Sequence, residues 1–240
     1  MVPCPWFTEI ASYVREHPGM DFGLHITLTS EWNNYKWGPV TPATQAPTLI
    51  NKEGFLYSTV DSVKQFAASN QVEAEIRNQV KRAKQFGIDP THLDAHMFAV
   101  VRKPDFLKAY IKVGREFKIP VFLAREMERE LNIKLESLIS KNEVIADSIV
   151  SIMPEMMHSD PAAYYAQTLR SLPVGLTYFI IHTAYDNEEM RSVTKGFTDW
   201  GSAWRQTEFD FFASPECARL LKENNIQIIS WREIRDKLYR

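Results

Sequence analysis

From Asp21 to Leu28 apolar and polar side chains alternate without a break. Phe22, Leu24, Ile26 and Leu28 fall on one face, and Asp21, Gly23, His25 and Thr27 on the other. That is the period of a strand, so a strand is predicted over Met20–Thr29. Thr91–Met97 repeats the pattern, with His92, Asp94 and His96 sharing a face and Leu93, Ala95 and Met97 behind them. A third run, Gly175–His182, is apolar through Tyr178-Phe179-Ile180-Ile181 and ends on His182. Pro120–Leu123, Val144–Ile152 and Ile226–Ser230 read as further strands.

Between these runs the period changes to that of helices. Thr8–Glu16 opens the chain, with Thr8 as cap and Pro18-Gly19 as stop. Asp61–Phe86 is amphipathic, with a break near Asn70, and stops at Gly87. Pro104–Phe117 and Glu126–Ser140 follow. Asp160 caps a helix that starts at Pro161 and runs to Ser171, Ser214 caps Pro215–Glu223, and Trp231–Tyr239 closes the chain. This alternation predicts an α/β fold with helices outside a mainly parallel sheet, either a barrel or a doubly wound sheet. The segments 20–29, 91–96, 120–123, 175–182 and 226–230 are expected in one sheet, and the whole chain, 1–240, as a single domain. Because the chain opens on a helix, closing a barrel needs more β-structure upstream, and the front of the sequence reads as cut.

Active sites of such folds gather at the carboxyl ends of strands, where His25, His96 and His182 fall. The two longest connections, 30–59 and 183–200, leave from those same ends. Trp32, Tyr35, Trp37, Tyr57 and Trp200 make them aromatic, which suits stacking on sugar rings or packing over the mouth of the sheet equally well. Imidazoles and a carboxylate at strand ends point to a metal or acid–base site. Asp94, between His92 and His96, is placed to orient an imidazole. His17, His92 and His158 read as structural, and Lys81, Arg82 and Lys84 as the wet face of a helix. The stretch 186–189 reads as the start of a helix.

Composition narrows the function classes. With 28 basic and 30 acidic residues the formal charge is −2, which leaves no footprint for nucleic acid. No run approaches the roughly 20 apolar residues of a membrane span. The first residues lack the basic flank and apolar stretch of a signal peptide, so the chain as given is expected in the cytoplasm. Cys4 and Cys217 have no CxxC spacing and read as half-buried thiols.

The runs "GLHITLTSEW", "PTHLDAHM", "PVFLAREM", "IIHTAYDNEEM" and "WREI" occur in that order. Together, over about Met1 to Trp231, they resemble the YdjC/ChbG-like carbohydrate deacetylases. The resemblance implies a distorted (β/α) barrel of the glycoside hydrolase/deacetylase type and removal of an acetyl group from an N-acetylated sugar or oligosaccharide. It also implies one divalent metal held by an aspartate and two histidines. Zn or Mg are the foremost candidates, with Mn, Co or Ni behind them. The motif histidines correspond to His25 and His96. A further family histidine, usually followed by proline, corresponds to His182, here followed by Thr183. His182 is the candidate proton donor to the departing amine, with Asp94 assisting. Arg125 is a substrate-side candidate as a clamp on a carbonyl or carboxylate product, although an arginine after a strand is more often a pairing residue, and Trp32 and Trp37 are candidates for holding the sugar.

The family's Asp-Asp pair has no counterpart here, so the chain is expected to lack the first βα unit and the third protein ligand. On that expectation this form binds metal poorly, turns over little and tends to associate. The alternative reading is a truncated, catalytically inactive sugar-binding homologue. A homo-oligomer is compatible with either.

Overall fold

In the computed structural model, which describes residues 1–157 and 160–239, the run at the first histidine forms β1 (Leu24–Ile26) after helix α1 (Phe7–Glu16). β1 pairs in parallel with β2 (Leu93–Ala95), and the register sets His25 beside Asp94. Leu24, Ile26 and Leu93 are buried on the opposite face. Val121 adds a single parallel bridge to Leu93. There the Leu93 N–H donates to Pro120 O at 2.9 Å and the Phe122 N–H to Leu93 O at 2.8 Å. Helices α2 (Val60–Phe66) and α3 (Ser69–Gln85) precede β2, and α4 (Pro104–Phe117) and α5 (Glu126–Leu131) follow it. These belong to one compact unit: Met1–Glu31, Tyr35–Ile145 and Ile229–Arg240.

The strand expected over Met20–Thr29 has only three ladder residues, and α3 explains why. Gln79, fully buried, accepts the Thr27 N–H at 3.0 Å and donates its amide to Thr27 O at 2.7 Å. A side chain thus takes the bonds a neighbouring strand would have made. One turn earlier on α3, Glu75 accepts the N–H groups of Val40 and Thr41 at 2.9 and 2.8 Å, and so pins the long 30–59 connection. Gln79→Leu would leave both Thr27 backbone groups buried without partners. At about 1–3 kcal/mol for each orphaned group, a loss of about 2–6 kcal/mol is expected in urea denaturation. An unchanged midpoint would show that the pairing contributes nothing.

Several boundaries move for local reasons. The break expected near Asn70 lies at Ala67-Ala68, both extended. Thr59 caps α2 through the Ser62 N–H, and Thr48 Oγ1 accepts the Ala68 N–H at 2.9 Å in place of a cap. Thr8 does not cap α1, since Trp6 holds that position without a side-chain bond. The helix expected over Glu126–Ser140 stops at Leu131, where Asn132 turns left-handed at φ 52°. Glu128 then accepts the Leu135 N–H at 2.7 Å.

The second compact unit comprises Trp32–Asn34 and Ala146–Ile228. β3 (Ser148–Ser151) and β4 (Thr177–Ile180) pair in parallel over their whole lengths. Around them stand α6 (Pro154–Met157), α7 (Pro161–Arg170), α8 (Glu188–Val193), α9 (Ser202–Phe212) and α10 (Pro215–Glu223). Asp160 and Ser214 cap as expected, accepting the Ala163 and Cys217 N–H groups at 3.0 and 3.1 Å. Tyr165, Leu169, Trp204, Phe211 and Leu220 form this unit's core.

Ile226–Ser230, expected as a strand, makes no ladder among the described residues. Asn225 turns left-handed at φ 53°, and the Ile226 N–H returns to Leu221 O at 2.9 Å, closing α10. Ser230 forms a capping box with Glu233 at the start of α11 (Trp231–Leu238), in the first unit. Both ends of the segment are thus committed to helix termini, which leaves no run of free backbone groups for a ladder. In place of the single five-stranded sheet, the described residues form four short strands that pair two by two, in parallel, in a mixed α/β arrangement. No described helix is long and apolar enough to cross a membrane.

Candidate functional site

His25 and Asp94 face each other because β1 and β2 are in register at those positions. His25 Nδ1 lies 2.8 Å from Asp94 Oδ2. β2 ends at Ala95, and a tight turn over His96–Val101 follows, in which Met97 and Phe98 are both left-handed, at φ 50° and 54°. Two consecutive non-glycine residues in that region carry strain of about 1–3 kcal/mol each. The turn leaves His96 Nδ1 3.2 Å from His25 Nε2, with ring centroids 5.1 Å apart. On the other side of the second ring, His96 Nε2 is 3.0 Å from Glu31 Oε1. The result is one continuous row: Asp94, His25, His96, Glu31.

His25 is the most exposed member of the row. The His25 side chain is 36% exposed and Asp94 17%, whereas His96 and Glu31 are 14% each. Burial holds the His96 imidazole below its usual pKa, against the opposing pull of Glu31. Burial works against the charge of Asp94 too, but His25 outweighs it and keeps the carboxyl below the usual range. Glu31 behaves alike: burial is countered by the His96 hydrogen bond and the nearby Lys36, and the net direction is down. Both outer groups are therefore carboxylates, and each calls for an N–H on the imidazole nitrogen it touches. That assignment leaves the two inner nitrogens, His25 Nε2 and His96 Nδ1, as facing lone pairs.

Facing lone pairs 3.2 Å apart are satisfied by a cation between them, a shared proton or a metal ion. Two imidazoles bound to one tetrahedral ion at about 2.0–2.1 Å hold their nitrogens about 3.3 Å apart, so the spacing fits co-ligands. The outer carboxylates are in the positions that orient metal-bound histidines. The donor set fits two ligand positions. Among the described residues, no group of three or more His, Cys, Asp and Glu is arranged to hold a metal ion.

Other expected residues fall elsewhere. Trp37 is buried, its indole N–H donating to Thr29 O at 2.9 Å and its backbone N–H to Ser30 Oγ at 3.1 Å. It is a strut of the 30–59 connection, and a buried ring offers no face to a sugar. Arg125 pairs with Glu136 and, at 3.6 Å, with Glu128, so it is a pairing residue and no free clamp. Trp32 belongs to the second unit, where it packs edge-on against Phe197 at 4.9 Å with the Arg205 guanidinium 5.8 Å from its ring centroid. His182 also belongs to the second unit, two residues beyond β4, and its backbone N–H donates to Glu208 Oε2 at 2.6 Å. His92 stacks on Trp231 at 4.6 Å. A Cβ at Gly23 would come within 2.3 Å of that imidazole, so His92 fills space that only glycine leaves open. His17 stacks on Tyr13, and His158 lies outside the described residues. Cys4 and Cys217 are free thiols, and burial pushes Cys4 up to about 12. Glu31 was not singled out by the sequence, although it stands in the run "GLHITLTSEW", six residues after His25.

The family model described as "YdjC-like protein" matches residues 1–223. A carbohydrate deacetylase of Thermus thermophilus is 28% identical over 249 residues, covering 100% of this chain and 84% of its own. A carbohydrate deacetylase of Brevibacillus brevis is 25% identical over 247 residues, covering 98% and 86%. Among solved structures, a "putative cellobiose-phosphate cleavage protein" of Enterococcus faecalis superposes with a TM-score of 0.76 over 98% of this chain and 85% of its own. At 17% identity that likeness concerns the fold.

Proposed function

The chain belongs to the YdjC-like protein family, and from that premise we propose that it is a metal-dependent hydrolase that removes the acetyl group from an N-acetylated sugar or oligosaccharide. The observation that carries the reading is the pair of converging imidazole nitrogens, each ring held from behind by a carboxylate.

An amide is a poor electrophile, so its hydrolysis needs a strong nucleophile and a stabilised oxyanion. A bound divalent ion, with Zn or Mg foremost, supplies both by acidifying water and polarising the carbonyl. In this chain His25 and His96 would hold it, while Asp94 and Glu31 fix the rings. The departing amine needs a proton, and His182 is proposed as its donor. Two neutral ligands, with no third ligand grouped with them among the described residues, bind a dication weakly, so activity should saturate only at high metal concentration. The assay is acetate release from an N-acetylated oligosaccharide. Slow release is expected, abolished by a chelator and restored by excess Zn. Release untouched by chelation would overturn the metal reading. The second reading, a sugar-binding homologue without turnover, is favoured by the lack of a three-residue ligand group among the described residues. Sugar binding with no acetate in excess metal would select it.

A further inference from the structure

We infer that Glu31 is a positioning residue for His96: it fixes the ring as the Nε2–H tautomer, so that Nδ1 presents its lone pair to His25 Nε2. The inference rests on the reading of His25 and His96 as a cation site, and extends it to Glu31, which stands in the first histidine run but beyond β1.

Three observations support it. Glu31 Oε1 is 3.0 Å from His96 Nε2, on the side of the ring away from His25. Both side chains are only 14% exposed, so water competes little for that nitrogen. The second Glu31 oxygen, Oε2, is buried without a hydrogen-bond partner. The oxygen that Glu31 does direct to a side chain, Oε1, meets the His96 ring. A neutral imidazole in water populates both tautomers, and a carboxylate on one nitrogen selects the form that donates there. Without it, His96 is free to place its proton on Nδ1, which then points a donor, not a lone pair, at the site. Asp94 acts alike on His25, so the pair is fixed from both ends. The local backbone gives a further reason for such a restraint. Met97 and Phe98, directly after His96, are held in left-handed conformations, and a turn under strain does not by itself dictate which way an adjoining ring is protonated.

The test uses the full chain and two independent readouts. Nitrogen-15 NMR of the histidine rings, in metal-free protein at alkaline pH where the rings are neutral, reads the tautomer directly. Wild type is expected to show His96 as Nε2–H, Glu31→Ala a mixture or Nδ1–H, and Glu31→Gln, which keeps a carbonyl acceptor, the wild-type form. Cobalt(II) titration should show affinity falling about 10–100-fold in Glu31→Ala, the range found when partners of metal-bound histidines are removed, with Glu31→Gln in between. A His96 tautomer unchanged in a Glu31→Ala protein that is folded by circular dichroism would overturn the inference, as would an Nδ1–H form in wild type. If Glu31→Ala does not fold, Glu31→Leu and the wild-type spectrum carry the same decision. Failure of the metal reading looks different: wild type would bind no cobalt while the tautomer still followed Glu31.

Discussion

Alanine at His25 or at His96 is expected to lower divalent-metal affinity well over tenfold and acetate release about a thousandfold or more. The affinity figure follows because removing one of only two converging nitrogens costs more than the orienting-partner changes that already cost 10–100-fold. The rate figure follows from the proposed metal dependence, under which the ion would supply several kcal/mol of stabilisation to the transition state, each ~1.4 kcal/mol being tenfold in rate. Each variant strands a carboxylate of low exposure, Asp94 at 17% or Glu31 at 14%, so both should unfold at lower urea than wild type. Glutamine at each position, which keeps an N–H for the carboxylate but offers no imidazole, separates the two effects: metal should still be lost while stability recovers. Elemental analysis, isothermal titration and the acetate assay measure the first part, and urea denaturation the second. Metal affinity within a factor of three of wild type in His96→Gln would remove the site from the mechanism.

The half of the site that was legible in the sequence was legible for a mechanical reason. Strict alternation at Asp21–Leu28 and Thr91–Met97 fixes which side chains share a face, whereas the pairing that sets His25 beside Asp94 depends on the β1–β2 register, which alternation does not give. Glu31 was not legible that way. It lies beyond the strand, and its approach to His96 depends on the left-handed turn at Met97 and Phe98, which no propensity announces for methionine or phenylalanine. The helices followed the same division. Caps with a mechanism, Asp160 with Pro161 and Ser214 with Pro215, placed their helices correctly. The α9 helix was not foreseen, because a segment as aromatic as Trp204–Phe212 carries little helical period. Sheet order failed most. Whether a run of apolar residues becomes a strand depends on who accepts its hydrogen bonds. At Thr27 that partner is a glutamine side chain, at Ile226 a helix end, and at His182 a buried glutamate. Trp37 and Arg125 show a related limit, since sequence shows that a ring or a guanidinium is present but not that it is packed or paired.

Glu208 is the residue whose loss should cost the second unit most. It lies fully buried on α9, and its two oxygens serve two different elements: Oε1 accepts the Tyr165 hydroxyl from α7, and Oε2 accepts the His182 N–H beyond β4. Glu208→Leu removes both acceptors and leaves a buried phenol and a backbone N–H unsatisfied. With about 1–3 kcal/mol per orphaned group, more where the lost partner is charged, a destabilisation of about 3–5 kcal/mol is expected in urea denaturation. Tyr165→Phe, which removes one donor and leaves Oε2 engaged, should cost about 1–2 kcal/mol. A pH signature separates this cluster from generic core loss. Burial, reinforced by Glu208, pushes the Tyr165 phenol above its usual value near 10. A group whose pKa is raised in the folded state contributes stability in full below its unfolded pKa, and loses it as pH rises towards the folded one. Above about pH 10, the unfolded chain gives up the phenol proton and the folded chain does not, so stability should fall with a slope approaching ~1.4 kcal/mol per pH unit for this one group. In Tyr165→Phe that component should vanish, leaving a shallower alkaline limb. Wild type and Tyr165→Phe with the same slope between pH 10 and 11 would show that Tyr165 ionises equally well in both states, and that Glu208 does not hold the second unit together in the way proposed.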